Sequence, residues 1–161
     1  MSAFRVPAGF LVAALAFYFS TPSPNLILAG APIGLLGLIF RAAAAGVIHK
    51  DEVLARNGPY RLSRNPLYWG SFMLTIGFAV MSGNLAVGIL LIISFVCVYP
   101  VVMRQEEKHL QELFGEEFRK FKEVVPFFFP RRLDLTMFED FSLRQYLSNR
   151  EYNSLAGFVG A

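Results

Sequence analysis

Histidine and cysteine are nearly missing from this sequence: it holds two histidines, His49 and His109, and a single cysteine, Cys97. A lone cysteine excludes a disulfide framework and a cysteine-built zinc site, and two histidines give no reason to expect a His-ligated metal centre. Charge is scarce as well. Asp, Glu, Lys and Arg make up 17% of the 161 residues, against about 25% in an average soluble domain. Fifteen basic and twelve acidic residues leave +3, too mild a balance to argue for a nucleic-acid partner. No GxGxxG loop occurs, so the usual dinucleotide fingerprint is absent. What the chain has is apolar sequence, 55% hydrophobic with a mean hydropathy of +0.47. Among the basic residues only Arg5 and Arg41 precede Lys50, and long, nearly charge-free runs separate the polar stretches. That is the composition of a small integral membrane protein.

Four apolar runs are expected to form transmembrane helices, making an all-α bundle. The first, residues 6–19, is short for a span of about 20 residues, and lengthens if Ala3 and Phe4 join it while Arg5 snorkels to the interface. A signal peptide would need a small-x-small cleavage site, but Phe17, Tyr18 and Phe19 stand there. Pro22 and Pro24 mark a turn. The second run, residues 26–48, contains Arg41, and its Gly30, Gly34 and Gly37 offer a smooth face for a neighbouring helix. The third, residues 67–82, opens after Pro66, a residue suited to a first helical turn. Gly83-Asn84 then links it to the fourth, residues 85–103, as an antiparallel hairpin. The turns at residues 20–25 and 82–84 carry no Lys or Arg. The loop between runs two and three carries Lys50, Arg56, Arg61 and Arg64, which places it and both termini in the cytoplasm.

Beyond Met103, Leu110, Leu113, Phe114, Phe118 and Phe121 recur at three- and four-residue steps, the pattern of a cytoplasmic amphipathic helix. Gly115 weakens its continuity, and Pro126 and Pro130 bracket its end. Residues 1–132 read as one domain, and residues 133–161 as a tail with no assigned chemistry. Three polar stretches meet on one membrane face: residues 41–51, 52–68 and 104–122. Arg41 lies inside an apolar run, where a charge usually faces the bundle or a wet cavity. Glu106 and Glu107 follow the fourth run within reach of the loop at 58–68. From the residues alone this is either interfacial salt bridging among Arg61, Arg64, Arg104, Glu106 and Glu107, or a ligand site.

The wording of the segments narrows that choice. Gly58-Pro59-Tyr60-Arg61, then Arg64-Asn65-Pro66-Leu67-Tyr68-Trp69-Gly70, resembles the signature of the isoprenylcysteine carboxyl methyltransferases and related phospholipid methyltransferases. So do Glu106-Glu107-Lys108-His109-Leu110, Phe114-Gly115-Glu116-Glu117-Phe118 and Val125-Pro126, in the same order. Upstream, Arg41-Ala42-Ala43-Ala44-Ala45-Gly46 and Lys50 are similar to the lead-in helix of bacterial members. The likeness covers about residues 34–132.

The resemblance implies a membrane-embedded methyltransferase that uses S-adenosyl-L-methionine and a lipid or lipid-linked acceptor, in the bacterial cytoplasmic membrane. Carried over by position, the cofactor-binding residues are Glu52, Val53, Leu54, Ala55, Tyr60, Asn65, Pro66, Leu67, Tyr68 and Glu106. Glu106 would pair with the cofactor ammonium; an ion pair with Arg104 is the plain alternative. Tyr60 and Tyr68 would offer faces and hydroxyls to the adenosine or sulfonium region; the alternative is an interfacial aromatic belt. The family often has histidine where Asn65 stands. Its eukaryotic members place an arginine four residues before the matched glutamate, where this chain has Val102, so Arg41 and Arg104 are the substitutes expected to bind substrate. No catalytic residue and no metal ligand is assigned. Carboxylate O-methylation is the leading expectation. Phospholipid N-methylation, an NADPH-dependent membrane reductase and a non-catalytic membrane scaffold remain as alternatives.

Overall fold

The computed structural model describes residues 5–130 and 135–160. The side chain of Arg5, its expected snorkelling and the boundary expected at residue 132 lie outside the described residues. Among the described residues six α-helices follow one another: α1 (Arg5–Phe19), α2 (Pro24–Ala45), α3 (Pro66–Met81), α4 (Leu85–Val124), α5 (Leu143–Ser148) and α6 (Tyr152–Val159). Short 3-10 turns occupy Gly58–Arg61 and Leu135–Phe138. Among the described residues there is no strand.

Helix boundaries follow local chemistry. Pro24 and Pro66 sit in the first turns of α2 and α3, where their missing N–H costs nothing. At α4 the Asn84 side chain accepts from the backbone N–H of Ala86 and Val87, filling two of the first-turn donors. The second run was expected to continue to Ile48, but α2 stops at Ala45. Gly46 caps it there with its N–H on the Ala42 carbonyl, 2.9 Å away. The fourth run and the amphipathic segment, expected as two helices, are one 40-residue element broken in direction at Gly115, which holds φ 51° and ψ −118°. That backbone state is open to glycine and strained for any other residue.

The most extensive helix pair is α2 with α3, and the glycines explain it. A Cβ on Gly37 would stand 2.6 Å from the Gly70 carbonyl oxygen, and one on Gly30 would stand 2.6 Å from that of Gly77. Both distances are too short for any larger residue, so the smooth face reads as helix-packing surface, as expected. Helices α1 and α3 both pack on α4.

Among the described residues two helices, α2 and α4, are long and apolar enough to cross a membrane, while α3 is apolar but shorter, at 16 residues. Only 11% of the most apolar window of α4 is buried. Leu85, Ile89, Ile93, Val96 and Val101 all face outward, the reverse of a helix at the centre of a soluble core. The α1–α2 and α3–α4 turns meet at one end. There the Thr21 N–H donates to the Ser82 carbonyl (2.7 Å) and Asn84 Nδ2 donates to the Phe19 carbonyl (2.9 Å). The polar segments occupy the opposite end, one helix length away.

Candidate functional site

At that polar end the segment leading into α3 is stitched to the chain that leaves α4. The Arg64 N–H donates to the Pro126 carbonyl (2.9 Å), Ser63 Oγ donates to the Phe128 carbonyl (2.8 Å), and Asn65 Nδ2 donates to the Phe127 carbonyl (2.9 Å). Ser63 Oγ also accepts from the Asn65 N–H at 3.1 Å. Buried polar groups are thus satisfied pairwise, which fixes Asn65 and the fully buried Pro66 at the head of α3.

From that anchor Tyr68 projects toward α4, and its hydroxyl donates to Glu106 Oε2 at 2.8 Å. Its ring meets Tyr99 edge-on, centroids 5.5 Å apart. Glu106 therefore takes a hydroxyl as partner, and the ion pair with Arg104, the alternative reading of this residue, does not form; Arg104 is exposed. Next door, Arg64 Nη1 lies 2.6 Å from Glu107 Oε1. The contact is ionic but poorly aligned for a hydrogen bond, and it leaves Arg64 Nε a buried donor without a partner. The guanidinium also stands 5.5 Å over the Phe127 ring. Of the salt-bridge network that was the alternative to a ligand site, Arg64 with Glu107 is the pair that forms, while Arg61 bonds Glu139 (2.6 Å) instead.

The loop between α2 and α3 covers this region and is tied to α4 twice. His109 Nε2 contacts Asp51 Oδ1 at 3.1 Å, and Arg56 pairs with Glu117. Because Gly115 turns the last part of α4, Phe118, Phe121 and Val125 come against Ala44, Val47, Leu54 and Tyr60 in one apolar cluster. Burial in it, reinforced by the nearby Glu106 carboxylate, pushes the Tyr60 hydroxyl far above its ordinary pKa, so it stays a protonated donor.

These elements enclose a cavity of about 450 Å³, inside the range of about 300–1,000 Å³ usual for small-molecule sites. Of the ten residues expected to hold a cofactor, nine line it: Val53, Leu54, Ala55, Tyr60, Asn65, Pro66, Leu67, Tyr68 and Glu106. Glu52 is exposed and does not. Nor do the two expected substrate residues. Arg41 is bound from the other side: Nε and Nη2 reach Glu151 Oε1 and Oε2 at 2.6 and 2.9 Å, and Nη1 donates to Ser71 Oγ and to the Leu67 carbonyl. Sequence reasoning missed Val102, Gln105, His109 and Leu110 as lining residues. Their signal was available: 102, 106 and 110 are four apart, so they share with Glu106 one face of α4.

Comparison with known proteins gives the same direction. Residues 8–117 match the phospholipid methyltransferase family. The cobalt-zinc-cadmium resistance protein CzcN of Cupriavidus metallidurans is 34% identical over 134 residues, 79% of this chain and 62% of the relative. The nickel-cobalt-cadmium resistance protein NccN of Alcaligenes xylosoxydans xylosoxydans is 34% identical over 82 residues, 51% of this chain and 38% of the relative. The protein-S-isoprenylcysteine O-methyltransferase of Schizosaccharomyces pombe is 27% identical over 90 residues, 56% of this chain and 38% of the relative. The chain thus spans less than two thirds of each relative's length. No solved structure matches.

Proposed function

The chain belongs to the phospholipid methyltransferase family, and from that premise we propose that it transfers a methyl group from S-adenosyl-L-methionine to an amphipathic or lipid-linked acceptor at the membrane. Carboxylate O-methylation of the isoprenylcysteine type is the leading form. The observation that carries this is the Tyr68–Glu106 pair on the wall of a cavity of cofactor size. The lining residues fit the group. A carboxylate whose partner is a hydroxyl keeps its negative charge for a ligand cation, and Glu106 would hold the ammonium. Tyr60 and Tyr68 supply aromatic faces suited to a sulfonium, and Leu54, Leu67, Phe118 and Phe121 supply an apolar wall.

S-adenosyl-L-methionine, when bound, supplies an electrophilic methyl on a sulfonium. The protein's own work is to bind, align and exclude water, and alignment can supply about 7–11 kcal/mol of a barrier. Asn65 Nδ2 is committed to the Phe127 carbonyl, so this residue secures the loop that forms the wall. A carboxylate acceptor arrives ionised and needs no base. An amine acceptor would need one, and His109, held by Asp51 on the cavity rim, is the group that favours the second reading, phospholipid N-methylation. Two relatives are named for metal resistance. Among the described residues no group of three His, Cys, Asp or Glu could hold a metal ion.

Four spans in the bacterial cytoplasmic membrane, with the cavity and both termini on the cytoplasmic side, complete the proposal. The test is transfer of radiolabelled methyl from S-adenosyl-L-methionine by vesicle-reconstituted protein to lipid-tailed acids and amines. Label should enter the tailed acid and be released as methanol by alkali, as an ester requires. Label stable to alkali supports the amine reading, and equal rates with tailless head groups would contradict a membrane acceptor.

A further inference from the structure

The last helix carries no motif and no charge, yet two contacts fix its course. Glu151, just before α6, holds Arg41 of α2 with both carboxylate oxygens, and the carboxylate is 10% exposed. Phe158, near the end of α6, lies on Gly34 so closely that any Cβ there would strike its ring. The same ring meets Phe78 of α3, centroids 5.5 Å apart. From 151 to 158 is seven residues forward, and from 41 to 34 is seven residues back. α6 therefore runs antiparallel to α2, from near its polar end to the level of Gly34, about its middle. Leu155 lies between these points and faces a small apolar groove with Leu35, Leu38 and Ile39.

The approach is held from the polar end. The Ser142 N–H donates to the Gly46 carbonyl (2.9 Å), Gln145 Nε2 to the Ile48 carbonyl (2.6 Å) and Asn149 Nδ2 to the Ala45 carbonyl (2.8 Å). The bonds to Ala45 and Gly46 satisfy carbonyls left open at the C-terminus of α2, and all three set the tail on that helix. Along the flank of α6 that borders this groove, Tyr152, Leu155 and Val159 share one face at three- and four-residue steps and are exposed. That face continues the outward apolar surface of α2 at Leu28, Leu35, Leu36 and Ile39.

We propose that α6 is a re-entrant membrane helix whose exposed flank, Tyr152, Leu155 and Val159, contacts lipid hydrocarbon beside the outward surface of α2, with Glu151 neutralising Arg41 where the two helices enter the bilayer. The proposal rests on α2 crossing the membrane, as proposed above. It gives Arg41 a partner in the tail and explains why a charge inside an apolar run is tolerated. It also explains why Gly34 is glycine: a Cβ there would meet the Phe158 ring on one side, and Gly77 packs close on the other.

Nitroxide labels on single cysteines at Tyr152, Leu155 and Val159, in a Cys97→Ser background and phosphatidylcholine vesicles, test it through collision with oxygen and with a water-soluble nickel chelate. Ala156, also exposed, replaces Leu155 if a label there disturbs the fold, and labels at Leu36 and Asn57 serve as references. A re-entrant helix gives oxygen-rich, nickel-poor environments at 155 and 159, with depth increasing by about 10 Å from 152 to 159, at 1.5 Å per residue. Equal depth at all three would show a helix lying on the surface. Nickel access like that of Asn57 would show water, and shielding from both reagents would show a second protein copy; each overturns the proposal. If Leu36 is lipid-exposed and Val159 is not, re-entry alone fails. If Leu36 is also open to nickel, the spanning of α2 fails and re-entry fails with it.

Discussion

Glu106 and Tyr68 meet across 38 residues of sequence, and the consequence of that meeting is local. The hydroxyl orients the carboxylate without cancelling its charge. Removing it in Tyr68→Phe takes away a hydrogen bond to a charged group, worth about 1.5–3 kcal/mol, and should weaken S-adenosyl-L-methionine binding by about tenfold or more at unchanged helix content. Unchanged affinity would mean that the pair serves packing only. Tyr60 gives a different signature. Its folded-state pKa is raised above the ordinary value of 10.0, so its contribution to stability is complete below pH 10 and is lost as alkali ionises the unfolded chain first. Unfolding followed by circular dichroism should show stability falling above about pH 10, with a smaller fall in Tyr60→Phe. An equal fall in both would contradict burial of this hydroxyl. At this scale the motif segments were legible because the cavity-lining side chains cluster in short stretches. Arg41 was not, because its partner Glu151 lies 110 residues on, in a tail that carries no sequence signal.

Elements were legible where apolar runs met strong punctuation, as at Pro24, Pro66 and Asn84. Misplacements came from tertiary effects: Gly46 ends α2 early, with tail residues bonding the carbonyls at its end, and α4 continues through Gly115 by bending there. That bend carries Phe118 and Phe121 onto the cavity wall. In Gly115→Ala the added Cβ has open space around it, so the cost is backbone strain alone, about 1–3 kcal/mol. We expect a lower melting temperature and a larger loss of cofactor affinity than a simple packing defect gives. An alanine variant with wild-type affinity would show that the bend is not required. The glycine face provides an internal control. Gly37→Ala must push α2 from α3 and should destabilise by about 1–3 kcal/mol, whereas a Cβ at Gly88 has no neighbour nearer than 3.6 Å and Gly88→Ala should be neutral or slightly stabilising. Equal melting temperatures for the two would contradict close helix packing at Gly37.

Across the whole molecule, turns without positive charge gather at one end and the ion pairs, the cavity and the tail's polar bonds at the other. The amino-acid pattern carried that polarity, because lysine and arginine placement follows topology; it carried nothing of the docking of α5 and α6 on α2, which rests on scattered contacts, polar ones and Phe158 on Gly34, rather than on periodicity. With Cys97 replaced by serine, a cysteine at Asn25 should label from outside intact cells and one at Asn57 should not. The opposite pattern would invert the proposed orientation. The central claim is that the cavity at the polar end binds S-adenosyl-L-methionine through Glu106. Calorimetric titration of the detergent-purified protein and of Glu106→Gln tests it most directly. Losing a partly buried charge pair costs about 3 kcal/mol at the lower end, and each 1.4 kcal/mol is about tenfold. The wild-type protein should bind the cofactor and the glutamine variant should bind it about a hundredfold more weakly; absence of binding by the wild type, or affinities within about threefold of each other, would contradict the claim.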